Sequence, residues 1–433
     1  VTPLLSWLQQ VSTLDLRAVA AFRVALAVSL VVDVGLRLRD YAAHYTDAGI
    51  LPLAYVRPQA GEWSWLLTWP SLTAPTFALV AAAAVALGLR WRPRVAAAVA
   101  LVALHAVHVR NPLVLNGGDQ LLRLLLLWSV FLPTEERGRV CSLGSFALVV
   151  QVCLVYLVTM TFRTGPAWWD GTAVSMVLAN PMLTLTGGEL LGGWPALHAP
   201  LTWWTVVWET VGIALVWSPW AHRRCRAVAI AGFVLLHVGL GLTLTLGLFP
   251  LVSVVSWIPL LPLAPDDEPL APRLPTPVRA LVGVALAAVL GWNARTLGWV
   301  QWPRVLNAPV RAVMLDQTWN LFAPEPRRVV GVYRLERGDG TAIWPDGAPN
   351  RRWGKAMRRL EKPENRHLRG PFARHLLAGS DDVLRWSFVP TKTFSPRLST
   401  DARVLWEGDR HAPDPERASA NPMERMLERA RVP

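Results

Sequence analysis

Apolar residues in this chain run together instead of alternating, in blocks of roughly twenty separated by short polar segments. A helix needs about 20 predominantly apolar residues to cross a bilayer. The blocks therefore predict spans near 17–38, 72–90, 95–110, 119–133, 144–163, 201–219, 227–246, 248–264 and 278–297. The second is broken by prolines, so the count is eight or nine. Residues 227–265 form a 39-position stretch without a formal charge, too long for one helix, and Gly247-Leu248-Phe249-Pro250 is where the chain is expected to turn. Beyond about residue 300 the pattern changes. Val329–Glu336 and Thr341–Trp344 read as strands joined across Arg337-Gly338-Asp339-Gly340, 351–379 as basic helix, and Leu384–Val389 and Ala402–Trp406 as further strands. The Arg-Gly-Asp triplet reads as a hairpin turn. A polar, Pro-rich stretch follows, with at most a short helix near 422–430.

This patterning defines an all-α polytopic membrane bundle with a small extracytoplasmic α+β C-terminal domain. The expected division is 10–300 for the helices, 301–408 for the mixed domain and 409–433 for a polar tail. Composition agrees. Only 17% of residues are charged and 53% are hydrophobic, with 23 tryptophans among 433 residues, whereas a soluble domain carries about 25% charged residues. No basic segment leading to a small-residue cleavage site opens the chain, so insertion through the first helix is expected.

Charge then orients the bundle. Arg90, Arg92 and Arg94 follow the second span, Arg137 and Arg139 the fourth, and Arg223, Arg224 and Arg226 the sixth. These loops alternate onto one side, which the positive-inside rule makes cytoplasmic; nine spans then put the C-terminal domain on the outer side of a bacterial inner membrane. The net charge of +13 is shared between loops and tail. It suits anionic headgroups or an acidic protein partner of the C-terminal domain. No basic stripe with stacking aromatics appears, which excludes nucleic acid. Cys141, Cys153 and Cys225 lack metal or redox spacing. Tryptophans in Glu62–Pro70 and Trp168-Trp169-Asp170-Gly171 read as an interfacial belt, or as the lining for an amphipathic ligand such as a quinone.

Ionisable groups within spans are the candidate chemistry: Arg23, Asp33, His105, His108, Arg110, Asp119, Arg123, Arg163, Glu209 and His237. Asp119 and Arg123, four apart, share a helix face and are expected to pair. His105 and His108 share a face as half of a metal site without a local carboxylate, so no metal is assigned. Glu209 has no cation near it in sequence and needs an arginine or histidine from another helix. Phosphate loops, nucleophile elbows and zinc-protease helices are absent from the sequence.

Several segments together resemble the HTTM (horizontally transferred transmembrane) family, bacterial membrane proteins related to the vitamin K-dependent gamma-carboxylase. They are Asp15-Leu16-Arg17 with Phe22-Arg23, Tyr45-Thr46-Asp47-Ala48-Gly49-Ile50-Leu51-Pro52, Arg110-Asn111-Pro112-Leu113-Val114-Leu115-Asn116-Gly117-Gly118-Asp119, and Gln317-Thr318-Trp319-Asn320-Leu321-Phe322-Ala323-Pro324-Glu325-Pro326. The resemblance covers residues 10–345. It implies a helical membrane domain with an extracytoplasmic tail and, in the carboxylase branch, a reduced quinone whose oxygenation drives glutamate carboxylation. That branch deprotonates its hydroquinone with a lysine. Here the matching stretch, Gln151–Tyr156 then Thr161-Phe162-Arg163 then Trp168-Trp169-Asp170-Gly171, carries Arg163 instead. Lys355, Lys362 and Lys392 are the only lysines, all outside the membrane domain. An arginine does not give up its proton in a protein, so standard carboxylation is not expected.

The resemblance places His237 and Glu209 near a histidine and an acid of the carboxylase. Arg163, His237 and Glu209 are thus the candidate catalytic residues. Asp119, Arg123, Arg110, Asn116 and Trp169 are the candidate ligand-binding residues, and a reduced quinone the candidate cofactor. Membrane lipids are the expected partners. The alternative is a non-catalytic membrane module whose C-terminal domain binds a partner protein. A transporter fits less well, since neither a repeat nor a pair of broken helices is visible.

Overall fold

In a computed structural model, residues 3–58, 70–263, 275–313, 315–345, 348–378, 382–395 and 398–409 are described. Trp63, Trp65 and Trp69 of the aromatic loop, and the tail from 410 with its expected helix, lie outside them. All nine apolar blocks are helical: Leu16–Leu38, Pro70–Gly88, Pro93–Arg110, Gly117–Val130, Leu143–Phe162, His198–Val216, His222–Thr243, Phe249–Trp257 and Thr276–Thr296. These are called the first to ninth helices below.

Among the described residues, six helices are long and apolar enough to cross a membrane, fewer than the eight or nine expected. They are the first, third, fifth, sixth, seventh and ninth. The other three are shorter over their described apolar stretches. The fourth has 14 residues, or about 21 Å at 1.5 Å per residue, against roughly 30 Å of hydrocarbon. Its start is fixed by a reciprocal cap, in which Asn116 accepts from the Gly118 N–H and Asp119 reaches back to the Asn116 N–H. Pro133 lies just beyond its end. The apolar stretch of the second helix covers Thr73–Gly88, and that of the eighth, with its 3-10 continuation, Phe249–Leu260.

The described residues fall into two compact units. One is drawn from Val1–Arg39, Ala60–Val109 and Asn116–Arg328. The other is drawn from Asp40–Gln59, Arg110–Leu115 and Val329–Pro433. The helical unit thus keeps residues up to 328, and the second unit recruits two segments between helices.

In the helical unit, polarity is sorted toward the interior. On the first helix Phe22, Arg23, Leu26, Leu30, Asp33 and Arg37 are buried, while Val24, Val28 and Val31 are exposed. Both faces are largely apolar, and beyond the first turn, where Arg17 is exposed, the buried charges Arg23, Asp33 and Arg37 lie on the inner one, the arrangement a lipid-facing helix requires. One end gathers the arginine loops. Leu14–Asp15 pairs with Arg139–Val140, Arg90 forms an ion pair with Glu136 at 2.7 Å, Arg94 donates to Leu132 O at 2.8 Å, and Arg226 donates to the carbonyls of Val11 and Thr13. The three loops assigned to one side by charge are thereby tied to each other.

The second unit contains a three-stranded antiparallel sheet with Val383–Thr393 between Val329–Arg337 and Arg403–Asp409. Val329–Arg337 pairs along its whole length with Val383–Thr393, and on its other edge the expected strand Thr341–Trp344 is reduced to one bridge, Glu336 to Ala342. The Arg-Gly-Asp triplet does lie in the turn, where Asp339 accepts from the Thr341 N–H and hydroxyl and Gly340 has φ +84°. The predicted 351–379 helix is two helices, Arg351–Leu360 and Arg369–Leu376, joined by a 3-10 segment beginning at Pro363. Trp353, Met357, Leu360, Phe372, Leu384 and Trp386 form the core of this unit.

Close packing of the fourth helix against the eighth yields the first prediction. A Cβ on Gly118 would sit 2.5 Å from the Phe249 backbone nitrogen, whereas one on Gly35 would meet nothing within 4 Å. Gly118→Ala is expected to cost about 1–3 kcal/mol or more by overpacking. Gly35→Ala, in an open helical position, is expected to be neutral or gain up to about 1 kcal/mol. Thermal denaturation of the two variants in detergent measures the difference.

Candidate functional site

Charges inside a lipid-facing bundle must find partners there, and the described residues resolve them into three groups. The first centres on Arg37. Its Nε meets Asp33 Oδ2 at 2.7 Å one turn away on the first helix, and its Nη2 meets Asp119 Oδ1 at 2.6 Å on the fourth. The same Nη2 lies 3.0 Å from His108 Nε2, and Arg123 Nη1 lies 2.9 Å from His108 Nδ1. Guanidinium groups only donate, so a neutral imidazole can accept from one of the two and no more. Asp316, in the segment after the ninth helix, lies within electrostatic reach of Arg123; burial pushes its carboxyl up and Arg123 partly counters this. Asp33, His108 and Asp119 converge closely enough to suggest metal ligation, yet the Arg37 guanidinium touches all three. It already supplies positive charge between them.

The second and third groups share the fifth helix, whose Tyr156, Thr159 and Arg163 follow one another at helical spacing. At its C-terminus, Arg163 Nη2 donates to Glu209 Oε1 at 3.1 Å and Nη1 lies 2.7 Å from Oε2. One hydrogen bond and one close ion contact thus hold the guanidinium against the carboxylate. The guanidinium carbon lies 3.9 Å from the centre of the Trp168 ring, a cation–π contact. Arg163 Nε is buried with no hydrogen-bond partner.

Two turns earlier, Tyr156 Oη lies 2.7 Å from His237 Nε2 on the seventh helix and accepts from Trp257 Nε1 at 3.1 Å. Since Tyr156 already accepts the indole N–H, its own proton is best donated to His237 Nε2. The ring then carries its proton on Nδ1, which is buried without a partner. Phe233 stacks on Trp257 at 4.3 Å, and Phe249 meets the His237 ring edge-on at 5.5 Å. Apolar rings thus surround the pair.

The structure brings together only part of the predicted site. Arg163 finds Glu209, as the lone acid required, and His237 lies along the same helix face beside Tyr156. Asp119 and Arg123 belong instead with Arg37 and His108, and His105 lies buried near Arg123. Asn116 acts as a helix cap. Arg110 belongs to the second unit, where it donates to Leu51 O and Thr46 O, both at 2.8 Å, and Asn111 donates to His44 O. It organises the 45–52 loop from within. Trp169 is exposed. Arg23 holds no carboxylate. It donates to the carbonyls of Ser129, Leu132 and Pro133, neutralising the end of the fourth helix.

Sequence reasoning missed Arg37, although its spacing of four from Asp33 was a usable signal. It also missed a buried amide contact. Gln151 Nε2 donates to Gln317 Oε1 at 3.0 Å, Trp319 Nε1 donates to the same oxygen at 2.6 Å, and Thr159 donates to Trp319 O. The segment after the ninth helix therefore runs back into the bundle, and Trp168 donates to its Phe322 carbonyl. A glutamine in mid-span was the one hint.

No protein-family model, curated protein or solved structure matches the chain. The site is thus judged on its own geometry.

Removing one member of a buried charge pair leaves the other uncompensated, at about 3–5 kcal/mol. Arg37→Met is expected to cost that much. Asp33→Asn in the Arg37→Met background is expected to recover part of it, which a double-mutant cycle on melting temperature measures.

Proposed function

We propose that this chain is an HTTM-type bacterial inner-membrane protein, built on a scaffold like that of the vitamin K-dependent gamma-carboxylase, whose helical unit binds a quinone or a similar lipid-soluble ligand without carboxylating glutamate. The observation that carries the reading is the polar face of the fifth helix, where Tyr156 and Arg163 engage His237 and Glu209 across the bundle. Two buried N–H groups along that face, Nε of Arg163 and Nδ1 of His237, have no acceptor. Buried donors without acceptors are costly, and the oxygens of a quinone would satisfy them. A quinone when bound supplies redox chemistry that no side chain provides. The residues fit it as hydrogen-bond donors and as a cation for an anionic oxygen.

They do not fit a deprotonation step. Arg163 cannot take a proton, and His237 Nε2 is already occupied by the Tyr156 hydroxyl. The second reading is a non-catalytic module whose C-terminal domain binds a partner protein, and it draws on a different observation. Arg163, Glu209 and His237 are only 4%, 6% and 2% exposed, as register-fixing pairs would be.

The test is purification in mild detergent, extraction, and mass spectrometry of bound quinones and lipids, followed by turnover of a reduced quinone with labelled bicarbonate. Quinone is expected to co-purify, to be depleted at least several-fold by His237→Ala, and to support no label incorporation. Arg163→Lys, which restores a group able to lose its proton, is expected to raise quinol oxidation above the wild-type level. Absence of quinone from the wild-type protein rejects the ligand reading. Glu209→Gln and His237→Ala variants that only melt earlier, with unchanged ligand content, favour the structural one.

A further inference from the structure

The ninth helix is one of those long and apolar enough to cross a membrane, and at its end the chain changes character. From Glu268 to Asp316 no acidic residue intervenes. After the helix, Trp299, Val300, Val305 and Leu306 are exposed apolar side chains, and Arg304 and Arg311 are exposed between and beyond them. Apolar groups interleaved with arginines suit the boundary between headgroups and acyl chains. Four side chains of this stretch meet. Trp302 stands edge-on to Trp292, ring centres 6.0 Å apart, and is seated against Gly291, where a Cβ would come within 2.5 Å of its ring. The guanidinium carbon of Arg295 lies 4.6 Å from the centre of the Trp292 ring, and that of Arg311 lies 5.9 Å from it.

Neither guanidinium has a hydrogen bond or an ion pair to any described residue. Asp316 feels Arg311, but less than it feels Arg123. Arg295 is not needed to close its helix, because the carbonyls of Asn293, Ala294 and Arg295 already accept from the backbone N–H groups of Leu297, Trp299 and Gly298. The indole N–H groups of Trp292 and Trp302 are both shielded from solvent without an acceptor among the described residues, and leaving such donors unmet is costly. Two unpaired cations and two unused donors thus gather where a span would leave the hydrocarbon. We propose that Arg295, Arg311, Trp292 and Trp302 form a binding site for the phosphate of an anionic phospholipid headgroup. Phosphate oxygens suit the forked donors of arginine. A zwitterionic headgroup brings a cation of its own beside the two arginines, so a lipid of net negative charge is favoured. The exposed apolar side chains next to the site select a lipid over a soluble phosphate. This inference rests on the ninth helix crossing the membrane and shares no residue with the quinone reading.

The test uses the full chain in neutral detergent, titrated with dioleoyl phosphatidylglycerol or with phosphatidylcholine of the same acyl chains, and melting temperature is the readout. A saturable rise specific to phosphatidylglycerol is expected. Arg295→Gln and Arg311→Gln are each expected to raise the half-saturating lipid concentration at least fivefold. Trp302→Phe, which keeps a ring and removes only the N–H, is expected to raise it at least twofold. Arg304→Gln removes an exposed charge of the same segment that contacts neither ring, and is expected to change it less than twofold. Equal responses to the two lipids overturn the proposal. So does an equal loss in all three arginine variants, which is the mark of diffuse attraction to a basic surface. Inorganic phosphate that reproduces the rise and abolishes the response to lipid overturns it as well. Arg311 is exposed, so its variant decides the outcome even if Arg295→Gln does not fold.

Discussion

Arg37 has no exposed surface, and a guanidinium cannot escape burial by shedding its proton. It must therefore be met by negative charge wherever it sits. Asp33, one turn earlier on the same helix, meets half of that need, and Asp119 meets the rest from the first turn of the fourth helix. Asp119 is in turn held by the Asn116 cap, so the start of the fourth helix and the register of the first are set by one contact. The neighbouring glycine, Gly118, permits the backbone of the eighth helix to approach at the same level, and Phe249 from that helix packs on His237. The position of the candidate ligand site thus descends, contact by contact, from a charge that cannot be neutralised any other way.

The fifth helix carries four polar residues that reach across the helical unit. Gln151 faces Gln317, Tyr156 faces His237, Thr159 faces the Trp319 carbonyl and Arg163 faces Glu209. The partners come from three other segments: the sixth helix, the seventh helix and the stretch after the ninth. Polar contacts of this sort gain little net free energy individually, but leaving any one unmade in an apolar interior is expensive. They specify which helix stands beside which more than they add stability.

Much of this was legible because lipid imposes a simple rule on sequence. Apolar blocks showed nine helices, and arginine loops showed which ends belong together, since both follow from local composition. The number of true spans was harder to read, because it depends on where caps such as Asn116 and stops such as Pro133 cut an apolar block short. Glu209 could be recognised as needing a cation, and Arg163 answers it. Asp119 was expected to pair with Arg123, which does feel its charge, but its 2.6 Å contact is with Arg37, 82 residues away in sequence and near in space. Arg110 looked like a span-end charge and proved to be the internal support of a loop in the other unit. In that unit, the Thr341–Trp344 strand shrank to a single bridge at Ala342, on the edge of Val329–Arg337 opposite its long partner.

The return of the chain after the ninth helix has a temporal side. Gln151 and its partner Gln317 are 166 residues apart, and ribosomes add about 5–20 residues per second. For roughly 8–33 s of each round of synthesis, the fifth helix is already made while the group that completes its hydrogen bonding does not yet exist. During that interval its amide faces apolar surroundings alone or borrows water and lipid headgroups. The polar face of the fifth helix is therefore incomplete until the segment after the ninth helix is made. Trp319 and Gln317 settle over the fifth helix only once that interval has passed.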